Sequence, residues 1–178
     1  DTSVEAQVLK IVAASPDAVL IGGSGTPGAT PAISLAARGY KGAMYGNHGM
    51  VNPDFIRVGG KSVEGLIAPT GPLVVVEQLP ESNAVKPVAT RFVADYDAAY
   101  GVQNRNAFAG YAYDAVLLVE KALPEALKKA TPGTSEFRSA LRDALENVRE
   151  LAGTHGVYTM SPKNHNGMDE RARVLVKV

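Results

Sequence analysis

The sequence predicts an α/β protein, a parallel sheet flanked by helices, and three observations carry that expectation. Short apolar runs alternate with helix-patterned segments over the first 70 residues. Glycine and proline punctuate each junction. No apolar run approaches the roughly 18 residues of a membrane span. The chain has 178 residues, with 46% hydrophobic and 20% charged side chains, which is the ordinary balance of a globular domain. Its formal net charge is zero, so composition offers no basic face for nucleic acid or an anionic membrane. It has no Cys, which removes disulfides, thiolate chemistry and thiolate-bound metals. That absence fits an oxidising compartment.

The elements follow in order. Residues 2–14 read as a helix, with Val4, Val8, Ile11 and Val12 on one face and Thr2 and Glu5 at capping-box spacing. "SPD" (15–17) breaks it. "AVLIGG" follows as a short buried strand. The next helix is expected to open at Thr30-Pro31, with proline in the first helical position, or at Thr26-Pro27, which would put Pro31 inside it at a cost in stability, and to end at Gly39. "GAMYG" (42–46) is a strand, "NPDFIRVGG" a short helical turn and "EGLIAPT" a third strand. Such β-α-β alternation implies a parallel sheet.

The style then changes. After "LVVVEQLP" come three helices. The first, Pro87 to Tyr100, carries Val88, Phe92, Tyr96 and Tyr100 on one face and stops at Gly101. The second, about Phe108 to Leu123, is apolar nearly all round and is expected to be buried. The third, about 135–148, has a stripe of Phe137, Leu141, Ala144, Leu145 and Val148. Residues 1–73 hold 10 charged side chains and residues 74–178 hold 26, which places a boundary near residues 70–79. The tail reads as two strands joined by an Asn/Gly turn. The chain starts at Asp1 without Met and stops inside the strand-like run "ARVLVKV". Those two ends predict a piece of something longer.

Candidate chemistry centres on "IGGSGTPGATP" (21–31), where Gly23, Gly25 and Gly28 match G-x-G-x-x-G. A dinucleotide cradle also needs an acid about 20 residues on, at the end of the next strand. That strand ends "MYGNH", without a carboxylate, and Pro27 falls where a helix should open. A hydrolase elbow would use Ser24 as nucleophile, but G-x-S-x-G ends here in Thr26. His48, His155 or His165 could supply its base and Asp114 or Asp143 its acid. Only one helix precedes Ser24, whereas an elbow sits on an established sheet. The plainer expectation is a tight turn whose Ser24 or Thr26 bonds free N–H groups at a helix start. "KNHNGMDE" (163–170) imitates part of a calcium loop. It has no oxygen side chain at position 1 and Arg173 at position 12, so it is expected to be a turn. His48, in the glycine-bracketed "GNHG", follows a strand, where open α/β sheets bind ligands. The three His residues form no local metal motif, and neither metal nor cofactor is expected.

Taken in order, "VLKIVAASPDAVLIGGSG", "FIRVGGKSVEGLIAPTG", "ATRFVADYDAAYG", "FAGYAYDAVLLVEKAL", "TSEFRSALRDALENV" and "GVYTMSPKNHNG" resemble the type I periplasmic solute-binding proteins. The likeness is to the branched-chain amino-acid-binding class of ABC transporters, and it covers nearly the whole chain. It implies two Rossmann-like lobes, of which this chain is the C-terminal half, incomplete without its N-terminal half. Residues 1–74 would belong to the second lobe, 75–162 would form a helix-rich return to the first, and 163–178 would cross back. It implies a small-molecule ligand held between lobes, a membrane permease as partner, a periplasmic location and no enzymatic turnover. The ligand contacts implied are Gly23, Ser24 and Gly25 in one loop and Asn47 and His48 in the next. Phe108, or Tyr111 in a shifted register, would add an aromatic contact. Amino-acid binders carry an acid where His48 stands. Imidazole does not compensate a buried ammonium group, so among small polar or amino-acid-like ligands the substitution favours a carboxylate, aromatic acid or amide-like solute over a simple α-amino acid.

Overall fold

The computed structural model describes residues 3–178, which form two compact units. The first holds the described residues up to Thr70 together with Val174–Val178; the second is Gly71–Arg173.

In the first unit, α1 (Glu5–Ala14), β1 (Ala18–Ile21), α2 (Ala29–Ala37), β2 (Ala43–Gly46), α3 (Pro53–Gly59) and β3 (Ile67–Thr70) follow the expected order. β1 and β2 pair in parallel, Ala18 opposite Ala43 through Ile21 opposite Gly46, and β2 is parallel to β3. Val8 of α1, Leu35 of α2 and Phe55 of α3 meet Ile21 and Ala68 in one buried cluster. The α1 stripe behaves as its spacing predicts, with Val4, Ile11 and Val12 packed against that core.

Three details differ from the sequence reading. α1 opens at Glu5, behind Val4, rather than at residue 2, and the Thr2 half of the capping-box spacing lies outside the described residues. The Glu5 carboxylate accepts bonds from the Ser34 hydroxyl at 2.8 Å and the Arg38 Nε at 3.0 Å, tying α1 to α2. α2 opens at Ala29, behind a 3₁₀ turn at Thr26–Gly28, so Pro31 is its third residue. That position is tolerated because first-turn N–H groups have no partner within a helix. β1 is not buried on both sides. It is an edge strand, and Leu20 is 74% exposed.

The second unit starts with 3₁₀ turns over Pro72–Gln78. Then come α4 (Lys86–Tyr100), α5 (Ala107–Leu127), α6 (Ser135–Leu145) and a hairpin of β4 (Leu151–Ala152) with β5 (Val157–Tyr158). α4 stops at Gly101, with φ of 85°. Its aromatic face is real: Phe92 and Tyr96 centroids are 5.4 Å apart, and Tyr96 and Tyr100 4.8 Å. α5 corrects the expectation of a wholly buried helix. Gly110, Asp114, Ala122 and Ala126 are buried, while Phe108, Val116 and Val119 are exposed. The tail also differs. Its two strands do not form one hairpin, because β5 pairs with β4 whereas β6 (Val174–Lys177) runs antiparallel to β3 in the first unit's sheet. The Asn/Gly turn survives on its own: Asn164 Oδ1 accepts from the N–H groups of Asn166 and Gly167, both at 3.1 Å.

Asp114 organises the second unit. Its carboxylate is 2% exposed and accepts three bonds, from Thr154 N at 2.6 Å, His155 N at 3.0 Å and Tyr158 Oη at 2.8 Å. A buried carboxylate survives only when its lone pairs are filled, and these donors both stabilise it and clamp α5 onto the β4–β5 hairpin. Burial, then the Asp114 charge, push the Tyr158 phenol well above its ordinary range, so it stays protonated as a donor.

Replacing Asp114 by Ala is expected to cost about 3 kcal/mol or more, since it strands buried donors worth about 1–3 kcal/mol each. Tyr158→Phe should cost about 1 kcal/mol. Urea unfolding would check both; equal losses for the two variants would refute the clamp. At the other end, the Arg38 guanidinium first, and the Ser34 hydroxyl next, hold the Glu5 carboxyl below its ordinary 4.5. A depressed folded pKa stabilises above the unfolded value and loses that contribution as pH falls through the folded value. The urea midpoints of wild type and Glu5→Gln should therefore converge as the pH drops below 4.5.

Candidate functional site

The parallel pairing of β1 and β2 brings their carboxyl ends together. From Ile21 the chain enters Gly22-Gly23-Ser24-Gly25, and from Gly46 it enters Asn47-His48-Gly49. The two loops are bonded directly: the Gly25 N–H donates to the Gly49 carbonyl at 2.9 Å. The Ser24 side chain lies over Gly49, where an added Cβ would come 3.0 Å from Ser24 Oγ and 3.3 Å from Asn47 Oδ1. Asn47 Oδ1 accepts from the Gly49 N–H at 2.9 Å, which opens a short 3₁₀ turn at His48–Met50. Below them Met50 is buried in the core, and Gly28 packs against it. Ser24 and His48 both stand exposed above this floor.

Gly23 is required by close approach. A Cβ there would fall 2.5 Å from the Gly28 Cα, a backbone atom that cannot swing away. The glycines thus serve a compact turn, as the plainer sequence expectation held. Ser24 caps no helix, however: no side chain caps the Thr26–Gly28 turn or α2.

Five of the seven sequence-predicted contacts, Gly23, Ser24, Gly25, Asn47 and His48, therefore share one corner of the first unit. Phe108 and Tyr111 belong to the second unit, near the start of α5. Phe108 is 72% exposed. Tyr111 is half-buried and stacks on His155, with centroids 3.9 Å apart and planes 18° from parallel. Burial first, and the Asp114 charge next, push its phenol up. His155 is itself buried, and its Nε2 lies 2.9 Å from the Ala107 carbonyl oxygen.

Sequence reading missed two participants. Gly49 supplies the carbonyl that joins the loops, and the glycine after His48 in "GNHG" was the available signal. His155, weighed only as a hydrolase base, is a stacking platform for Tyr111. The hydrolase acids are committed elsewhere: Asp114 accepts from backbone N–H groups and a phenol, and Asp143 is bonded to Arg142. No Asp or Glu occurs from residue 18 to 53, so neither loop supplies a carboxylate for a ribose or an ammonium group. Among the described residues, no cluster of His, Cys, Asp and Glu could hold a metal ion, and no helix is long and apolar enough to cross a membrane.

Gly23→Ala is expected to destabilise the chain by about 1–3 kcal/mol, the range for forcing extra volume into packed structure. Ser24→Ala, at an exposed hydroxyl, should fall within about 0.5 kcal/mol of wild type. Thermal unfolding of the two variants decides whether the turn is as tight as described.

The family model for "Periplasmic binding protein" matches residues 1–176. Among solved structures, a protein of Rhodopseudomonas palustris strain CGA009 is 45% identical, with a TM-score of 0.94; the match covers 100% of this chain and 50% of that one. An extracellular ligand-binding receptor from Rhodopseudomonas palustris HaA2 is 44% identical, again with a TM-score of 0.94 and coverage of 100% and 50%. A leucine-binding protein from Thermotoga maritima shares the fold at 24% identity, with a TM-score of 0.75 and coverage of 100% and 46%. Among curated proteins, none matches the chain. The chain spans about half the length of these solved relatives. Matched over residues 1–176, the chain belongs to the periplasmic binding protein family.

Proposed function

We propose that the chain is part of an extracytoplasmic solute-binding component of an ABC transporter, working in the periplasm and handing its ligand to a membrane permease. The first unit contributes to the second lobe of such a protein, and the helix-rich unit returns to the first lobe. The N-terminal half completes both. A ligand between lobes favours the closed form by touching both, which is a hinge mechanism without bond breaking.

One observation carries the ligand class. The joined loops present the Ser24 hydroxyl, the His48 imidazole and glycine backbone, with no acid from residue 18 to 53. An ammonium group at this corner would be desolvated without a counter-charge. A carboxylate would meet donors from Ser24 and His48. An aromatic acid would add apolar contact to these polar anchors, as ligand pockets pair few polar groups with aromatic lining. The Rhodopseudomonas palustris HaA2 relative is an extracellular ligand-binding receptor, which also suits a sensor ectodomain. Loss of solute uptake, rather than of signalling, on deletion in the cell would separate transport from sensing.

3-Phenylpropanoate and phenylalanine differ only in the α-ammonium group and make a direct test. Titration calorimetry on the full-length protein should show the acid binding at least about tenfold tighter, as a charge-assisted bond is worth about 1.5–3 kcal/mol. His48→Ala should remove about that tenfold preference. Tighter binding of phenylalanine, or indifference to His48→Ala, would sink the reading.

A further inference from the structure

The loop between β5 and β6 carries a motif that ligand binding leaves unused. "KNHNGMDE" (163–170) contains the one Asn-Gly step in the sequence, Asn166-Gly167. Asparagine before glycine is the pair most prone to lose ammonia. Glycine has no side chain to shield its amide nitrogen, and its backbone reaches the angles that ring closure needs. Asn166 is exposed to water, so access does not limit the reaction.

The backbone does limit it. Gly167 is buried, with φ of 65°. Its N–H, on the nitrogen that would attack, donates to Asn164 Oδ1 at 3.1 Å. Its carbonyl accepts from the Thr159 N–H at 2.7 Å. The Asn166 N–H donates to the same Asn164 oxygen at 3.1 Å. Asn164 is itself fixed, because its backbone and that of Ser161 exchange bonds in both directions, at 3.0 and 3.1 Å. A Cβ at Gly167 would collide with the Met160 thioether, so the residue is closely packed. An amide that already donates its N–H resists losing that proton. Held at both ends, it also cannot swing toward the Asn166 carboxamide.

We propose that Asn166-Gly167 is a site of spontaneous deamidation whose rate is set by the Asn164 side chain. Base removes the Gly167 amide proton, and the nitrogen attacks Asn166 Cγ. An N–C bond forms there, and the side-chain nitrogen takes up a proton and leaves as ammonia. Water then opens the cyclic imide at either carbonyl, giving aspartate or isoaspartate. Nothing is oxidised or reduced: amide and water become acid and ammonia. Either product sets a new carboxylate beside His165, whose Nε2 lies 2.9 Å from Glu146 Oε1. Isoaspartate also adds a carbon to the main chain, which displaces Gly167 from Thr159 and Met160. The proposal is independent of the ligand reading.

The test incubates the full-length protein in mildly alkaline buffer and follows the peptide spanning residues 163–170 by mass spectrometry, with fragmentation that separates aspartate from isoaspartate. Folded wild type should convert at least about tenfold more slowly than the same protein in urea, because local opening must first break the Asn164 bonds. In urea, Asn166 should convert before any other asparagine of these 178 residues. Asn164→Ala should speed conversion in the folded protein about tenfold. That gain should be confined to Asn166, with Asn106 and Asn147 unchanged, since general loosening would speed all three. Asn164→Asp keeps an acceptor oxygen and should restore the slow rate. The wild-type comparison decides the matter even where a variant folds poorly. Folded wild type reacting as fast as unfolded, another asparagine reacting first in urea, or the Ala and Asp variants reacting alike would each overturn the proposal.

Discussion

The register of β1 on β2 is the constraint from which the candidate site follows. Ile21 faces Gly46, and both strands run the same way, so the loops leaving them must start side by side. The bond from Gly25 N–H to the Gly49 carbonyl then joins them. A slip of one residue would turn Ile21 outward and Leu20 inward and carry Ser24 about 3.3 Å along the strand, away from Gly49. What forbids the slip is core burial. Ile21 is 4% exposed among Leu35, Met50 and Phe55, and each such side chain is worth about 1.5–3 kcal/mol. Apolar packing thus sets the position of a hydroxyl and an imidazole that take no part in it.

The second unit reaches the same end by a polar route. Asp114 gathers two backbone N–H groups and a phenol, and one of those N–H groups belongs to His155. Tyr111 lies one helical turn before Asp114 on α5, so the residue that fixes the His155 backbone also fixes the helix carrying its stacking partner. With its phenol pushed up, Tyr111 stays neutral at physiological pH and keeps both an aromatic face and a hydroxyl.

Much of this was legible in the sequence, and the failures share a cause. Strands and helices in the first 70 residues were marked by Gly, Pro, Asn and short apolar runs, all local signals. Asn52-Pro53 opens α3 as its residue types require, with Asn52 Oδ1 accepting from Phe55 N–H at 2.9 Å. Burial was not local. The apolar pattern of α5 shows that its faces could be buried but not which neighbours exist, and Phe108, Val116 and Val119 stand exposed. "AVLI" reads as a doubly buried strand for the same reason, although Leu20 faces outward. β6 was visible as a strand, but its partner β3 lies at a sequence distance no pattern spans. In the site, Ser24 and His48 could be singled out because each follows a strand between glycines. Gly49 has no side chain to announce it, and its part appears only where the two loops meet.

The charge inventory of the site carries an argument that neither the fold nor the family supplies. Folds of this kind hold many ligands, so specificity must be sought in particular groups. The stretch from residue 18 to 53 has two cations, Arg38 and Lys41, and no acid. Arg38 is committed to Glu5. Backbone N–H groups, the Ser24 hydroxyl and an imidazole N–H are all donors. A site assembled from donors gains by meeting a carboxylate and loses by burying an ammonium group beside them. Ser24 and His48 are also exposed, where a single hydrogen bond competes with water and nets only about 0.5–1.5 kcal/mol. Useful affinity on the proposed reading must therefore come from removing water around these groups, which one loop pair cannot do alone. Enclosure by a second surface is then a physical requirement of the ligand chemistry itself, reached without reference to how the relatives are built.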